Sequence, residues 1–137
     1  MSNALRDRIL AISDIKTERL LVPDWGVEFD VRGLTGTERA RIKAASVVAE
    51  RDDEDKITHR HDEATMYALL IIAATFDPAT GQRVFGDADR DALKEKSAGV
   101  LEDVAMAICR LSGITPDAVK AIRKNSEPTP SGSSPSA

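Results

Sequence analysis

The histidines of this sequence are the first residues whose type and spacing could do chemistry. His59 and His61 flank Arg60, and Asp62 follows. A His-x-His pair can bind zinc, but a zinc site needs three or four ligands and the chain has no third histidine. We therefore interpret the stretch as a solvated loop and predict no metal site.

Two acidic stretches share some features of calcium loops, residues 77–81 (DPATG) and residues 87–91 (DADRD). Neither stretch begins a loop with glycine at the sixth position or glutamate at the twelfth, both of which an EF-hand needs. The first stretch is better explained as a turn. The second is better explained as a helix start, with Asp87 as the N-cap.

Cys109 is the single cysteine, so the sequence offers no internal disulfide, which fits a reducing compartment. Its sequence neighbours are apolar and include no histidine, which favours an inert, partly buried thiol over a nucleophile. The sequence also lacks a glycine-rich phosphate loop and a nucleophile elbow. We predict that the protein is not an enzyme and uses no cofactor.

Composition and charge restrict the function further. The 137 residues are 42% hydrophobic and 31% charged, with a net charge of −4, so there is no overall basic field for nucleic acid. Three basic residues on one predicted helix (Arg39, Arg41 and Lys43) are interpreted as a solvated face, although a small regulatory DNA-binding protein stays an alternative. Charges within the first 13 residues argue against a signal peptide or membrane anchor, so we expect a cytoplasmic protein.

The element that must organise the rest is residues 66–76, MYALLIIAATF, which carry no charge. A helix that is apolar on every side has to be covered on every side, and the run is too short to span a bilayer. A buried strand is possible for such a run, but its length and its good helix formers favour a central core helix.

A β-hairpin is predicted upstream of this helix. Residues 19–22 and 27–32 flank a turn that contains Pro23 and Gly26, and Val27, Phe29 and Val31 alternate with charged residues. The hairpin should pack that apolar face on the helices. Trp25 in the turn is either a cap on the edge of the core or an exposed contact, and we favour the cap.

Further helices complete the expected fold. A short N-terminal helix covers residues 4–12, and a capping box at Thr35 and Glu38 opens a helix that runs to about Glu50. Residues 51–62 are expected to be a charged surface loop. A one-sided stripe predicts an amphipathic helix that ends near Gly113, and Thr115-Pro116 starts a last short helix to about Lys124. The stripe consists of Leu93, Ser97, Val100, Leu101, Val104, Ile108 and Leu111.

The expected fold class is therefore α+β, mainly α. An N-terminal β-hairpin packs on a small bundle of about four helices around a central apolar helix. We divide the chain into an N-terminal helical segment (residues 1–16), one globular domain (17–125) and a serine- and proline-rich tail (126–137) that we expect to be disordered.

The order of these motifs resembles a known family. A hairpin with a Pro-x-Trp-Gly turn precedes Arg32-x-Leu34-Thr35 and Glu38-Arg39. An apolar helix then ends in a D-x-x-x-G-x-x-x-F turn at Asp77, Gly81 and Phe85, followed by Lys96-Ser97 and Arg123-Lys124-Asn125. This arrangement is similar to that of the tail assembly chaperones of long-tailed, siphovirus-type bacteriophages, over roughly residues 20–125. Residues 1–16 and 51–62 depart from the simplest form of that pattern.

The resemblance implies a small, mainly helical protein that self-associates. It would bind the tape measure protein and help to recruit the major tail protein in the host cell cytoplasm, and it would be absent from the mature virion. Genes of this family often also yield a longer form by ribosomal frameshifting. A structural adaptor or minor tail component that remains in the particle is the other alternative.

A chaperone needs apolar surface to offer to a helical client. The residues that we single out for partner binding are Trp25, Phe76, Phe85, Leu93, Val100 and Leu101.

Overall fold

The computed structural model describes residues 3–114. In this range the chain forms five α-helices and two small antiparallel sheets. The predicted helix at residues 116–124 and the tail at 126–137 lie outside the described residues. The elements are α1 (Ala4–Ala11), β1 (Thr17–Val22), β2 (Val27–Arg32), α2 (Gly36–Ala45), β3 (Val47–Arg51), β4 (Ile57–His61), α3 (Glu63–Ala74), β5 (Thr75–Phe76), α4 (Arg90–Lys94) and α5 (Ala98–Leu111).

The predicted hairpin is confirmed as β1 and β2, and β5 adds a third strand on the far side of β2. Gly26 closes the turn with φ of +65°, a conformation that costs glycine little. Phe29 and Val31 of the predicted apolar face are buried. Val27 is 47% exposed, because it lies at the end of the sheet next to the turn.

The central core helix is also confirmed, as α3. Ala68 and Ile71 are fully buried, and α3 contacts α2, α4 and α5, so neighbouring helices cover several of its sides. The helix ends earlier than predicted, at Ala74. Thr75 and Phe76 belong to β5 instead, since Thr75 pairs with Val31 and Phe76 pairs with Asp30 of β2.

The prediction of one helix from Gly36 to about Glu50 is wrong. The capping box is present, but α2 ends at Ala45 and the buried Ser46 follows. The backbone carbonyl of Ser46 accepts a hydrogen bond from the Asp62 backbone N–H at 2.6 Å, which joins two distant parts of the chain.

The prediction of a charged surface loop at residues 51–62 is also wrong, because residues 57–61 form a strand. From the junction of Ser46 and Asp62, β3 and β4 pair as an exposed hairpin, from Val47↔His61 to Arg51↔Ile57. At its tip, the Asp52 side chain accepts hydrogen bonds from the backbone N–H groups of Glu54 (2.9 Å) and Lys56 (2.8 Å). The acidic cluster is therefore a hydrogen-bonded turn.

The predicted amphipathic helix is divided into α4 and α5. Asp87 is not an N-cap but the first residue of a 3-10 turn, Asp87–Asp89, that precedes α4. Ser97, assigned to the apolar stripe, is the N-cap position of α5. Gly113 ends α5 as predicted, with φ of +76°, and the Ile114 N–H donates to the Cys109 carbonyl at 2.8 Å.

Candidate binding surface

The residues with catalytic or metal-binding potential do not converge. His59 and His61 lie on β4 of the exposed hairpin, and Asp77 lies in the turn after β5. Within residues 3–114 no group of three or more His, Cys, Asp and Glu side chains could hold a metal ion. Cys109 is buried in the core, and burial raises the pKa of its thiol above the ordinary value, which disfavours the thiolate. In that same range no helix is long and apolar enough to cross a membrane.

The outer face of the three-stranded sheet is the most distinctive exposed surface. Because side chains alternate along a strand, the residues in register with Asp30 on β1 and β5, Arg19 and Phe76, lie on one face with it. The Arg19 Nε donates to an Asp30 carboxylate oxygen at 2.6 Å, and this hydrogen bond raises the already high pKa of Arg19. Leu21 is on this face and is 63% exposed.

Phe76 is the aromatic centre of this outer face. The guanidinium carbon of Arg32 lies 3.7 Å from the centroid of the Phe76 ring, a cation–π contact that holds the half-buried ring in place. An open cleft of about 460 Å³ lies beside them, bounded by residues from the segment before β1 and from α2 and α3. The outer face therefore presents an aromatic ring with a cation stacked over one side of it, next to an open cleft.

Trp25 does not join Phe76 in one patch. Trp25 is half-buried in the β1–β2 turn, with its ring centroid 6.4 Å from that of Phe29, so it caps the edge of the core as we favoured. Phe76 pairs with Asp30, which is four residues beyond Gly26 and therefore about 13 Å along β2. Phe85 is half-buried and follows Val84, whose N–H donates to the Thr75 carbonyl at 3.1 Å.

The other three predicted partner-binding residues are core residues in this structure. Leu93 is 4% exposed, Val100 is 6% exposed and Leu101 is 3% exposed. A surface partner therefore has little access to them in the folded monomer. Five residues of the predicted stripe face the core, whereas Ser97 is exposed and Leu111 is half-buried. The exposed side of α5 lies elsewhere on the helix.

Sequence reasoning missed the groove on this exposed side, which we call the α5 groove. It is an open groove of about 630 Å³ between β1 and α5, with Leu20, Met106, Ala107 and Ile114 along its floor. Asp103, Arg110 and Gly113 also line it. The signal in the sequence was the spacing of Asp103, Met106, Ala107 and Arg110, which places all four on one side of a helix.

Comparisons with known proteins agree with this architecture. No protein-family model matches the sequence, and no curated protein matches it. Among solved structures, the bacteriophage HK97 tail assembly chaperone matches with a TM-score of 0.54 and 19% sequence identity. The chain shares the fold of this chaperone. The match covers 98% of the HK97 chaperone and 79% of this chain, so nearly the whole chaperone fold is present and this chain carries additional residues. The resemblance of the sequence motifs is thus confirmed at the level of fold.

Proposed function

We propose that this protein is a tail assembly chaperone that binds the tape measure protein and helps to recruit the major tail protein while the tail tube forms. The observation that carries the proposal is the fold match, which spans 98% of the HK97 chaperone. On this proposal the protein acts in the cytoplasm of the infected host cell and leaves before the virion matures. It works by binding, without catalysis or a cofactor.

The outer face around Phe76 is the surface that we propose for the client. A long helical protein presents apolar residues at helical spacing, and such stripes bind to grooves with aromatic anchors. Phe76 supplies the anchor, Arg32 holds its ring, and the cleft beside it leaves room for a client side chain. Trp25 and Phe85 remain proposed contributors, whereas Leu93, Val100 and Leu101 support the fold from within.

The experiment that tests the proposal is an affinity pull-down with an N-terminal tag on this chain, expressed with the neighbouring genes of its native operon. We expect the tape measure protein to co-purify, identified by mass spectrometry. If the tape measure protein is expressed and soluble but does not bind, the proposal is wrong. Detection of this chain in purified particles would favour the structural adaptor instead.

Two variants test whether the client binds to the outer face. Phe76→Ala removes the aromatic anchor, and anchors of this kind typically contribute 2 kcal/mol or more to binding, so we expect roughly a thirtyfold loss of affinity. Val47→Ala is the matched control, because Val47 is also an exposed apolar residue (42%) but lies on the β3–β4 hairpin. Equal effects of the two substitutions would exclude the outer face as the client surface. Circular dichroism checks that both variants fold.

A further inference from the structure

Helix α1 carries apolar side chains that its own chain does not cover. None of its residues is buried, and Leu5, Ile9 and Leu10 are 64%, 58% and 68% exposed. Its N-cap is local, since the Asn3 side chain accepts from the Arg6 backbone N–H at 3.1 Å. Helices of eight residues are marginal in water on their own, so a stable α1 needs a partner.

One side of α1 carries an aliphatic stripe. Leu5, Ile9 and Ile12 recur at the i, i+4, i+7 spacing of one helical face, and Ile12 is also exposed (63%). Arg6 and Arg8 flank this face on its two sides, because each is about 60° around the helix from one of its apolar residues. Arg6 pairs with Asp7 at 2.9 Å, so the helix presents an aliphatic stripe with the cation of Arg8 beside it.

The α5 groove has matching dimensions and charge. Its charged lining residues, Asp103 and Arg110, are seven residues apart and thus separated by about 10.5 Å along α5, while the eight residues of α1 extend about 12 Å. Its floor is aliphatic. Among the described residues Asp103 belongs to no ion pair, so its carboxylate is available to an arginine of α1, whereas Arg110 pairs with Glu18 at 2.7 Å.

The path of the chain sends α1 away from its own groove. Ile15 and Thr17 line the cleft with Phe76, on the outer face of the sheet, and the Lys16 carbonyl is fixed by the Gly33 N–H at 2.9 Å. Leu20, on the floor of the groove, is in register with the buried Phe29 and so lies on the opposite face. An α1 that occupies this groove would therefore come from another molecule.

We propose that α1 of one copy lies in the α5 groove of a second copy, with Leu5, Ile9 and Ile12 on Met106 and Ala107 and with Arg8 near Asp103. This contact does not depend on the identity of the client, and it assigns a role to the N-terminal residues that the sequence pattern left unexplained. A failure of client binding would leave it standing.

Sedimentation equilibrium of the full chain tests the role of α1 in self-association. Ile9→Asp places a charge in the apolar stripe, and we expect it to weaken self-association at least about tenfold. Ala11→Asp introduces the same charge in the same turn, on the other side of α1, and should change the affinity less than about twofold. Because no residue of α1 is buried in its own chain, neither variant should disturb folding. Equal effects of the two substitutions, or a wild-type chain that stays monomeric near 1 mM, would overturn the proposal.

A mixed-label NMR experiment tests the groove. Chains with a spin label at Ala11→Cys, on the side of α1 away from the apolar stripe, are mixed with wild-type chains that carry ¹³C-methyl methionine. The buried Cys109 is left largely unreacted by brief labelling at neutral pH. We expect the Met106 methyl signal to broaden more than that of Met66. A label at Asp53→Cys, on the tip of the exposed hairpin, is the control and should not reproduce this preference. Broadening that occurs only when the spin label and the ¹³C-methyl methionine are in the same chain would show that α1 docks within its own molecule. That result would refute docking between two copies.

Discussion

Gly33, directly after β2, lies close against the C-terminal end of α5. A Cβ atom built on Gly33 would lie 2.8 Å from the Leu111 carbonyl oxygen, a backbone atom that cannot turn aside. The next residue fixes the same approach, because the Leu34 N–H donates to the Ser112 hydroxyl at 2.8 Å. Gly33→Ala should therefore lower the free energy of unfolding by about 1–3 kcal/mol, measured by urea denaturation.

Gly36→Ala is the control for that substitution. Gly36 is the first residue of α2, and an added Cβ would meet no atom within 4 Å. Alanine favours the helix over glycine, so this variant should be neutral or stabilising by up to about 1 kcal/mol. If both substitutions destabilise the protein equally, the close approach of Gly33 to Leu111 is not the reason that Gly33→Ala is destabilising.

Asp62 connects stability to pH at the start of the core helix. Burial raises the pKa of Asp62, but hydrogen bonds from Thr65 and the charges of Lys94 and Arg60 outweigh it, so the pKa lies below its ordinary value. A carboxyl with a lowered folded-state pKa stabilises the fold above its unfolded pKa, and this contribution is lost as the pH falls through the folded value. Asp62→Ala should cost about 1 kcal/mol at pH 7, through loss of the N-cap.

The pH dependence separates the charge of Asp62 from its hydrogen bond. The difference in unfolding free energy between wild type and Asp62→Ala should shrink as the pH falls below 3.8, the ordinary pKa. Asp62→Asn keeps a capping acceptor and should remain within a few tenths of a kcal/mol of wild type at neutral pH. A constant difference between wild type and Asp62→Ala from pH 7 to pH 3 would contradict this account.

The two caps show which residue roles the sequence could predict. The capping box of Thr35 and Glu38 was predicted because its groups are only three residues apart, and both of its hydrogen bonds are present. Asp62 also caps its helix locally, since its side chain accepts from the Thr65 backbone N–H, but the sequence pattern places Asp62 in a loop. The close approach of Gly33 to Leu111 had no local signal at all, since it depends on packing between distant segments.

At the scale of elements, the β3–β4 hairpin should be dispensable for the core. Glu50 and Thr58 are in register, so replacing residues 51–57 with Asn-Gly joins them through a two-residue turn. Every residue removed is exposed, and the shortened protein should keep its unfolding free energy to within about 1 kcal/mol of wild type. A loss well beyond that, by urea denaturation, would show that the hairpin supports the core.

The elements that sequence reasoning missed are those that depend on distant pairing. The hairpin of β1 and β2 was predicted because its turn and its alternation are local. Val47 and Val48 continue an apolar run from α2 and so were assigned to the helix, but the hydrogen bond between Ser46 and Asp62 brings β3 to β4. The break before α5 was missed because Ser97 fits both an apolar stripe and a helix start.

At the scale of the whole molecule, the sequence predicted the fold class and the central helix but not how its surfaces are placed. Aromatic residues could be selected by type, yet only the register of the sheet shows that Trp25 and Phe76 are separate. The α5 groove brings together residues far apart in the chain, as the ion pair between Glu18 and Arg110 illustrates. Such a surface cannot be derived from periodicity along one helix.

The solubility of the tape measure protein is the measurement that tests the central claim most directly. The tape measure protein would be expressed alone, with wild-type chain, with Phe76→Ala and with Val47→Ala, and its soluble fraction would be quantified after centrifugation. We predict that wild type and Val47→Ala keep it soluble, and that Phe76→Ala does so much less well. A tape measure protein that is equally soluble in the absence of this chain, or equally insoluble in its presence, would contradict the account of this protein as its chaperone.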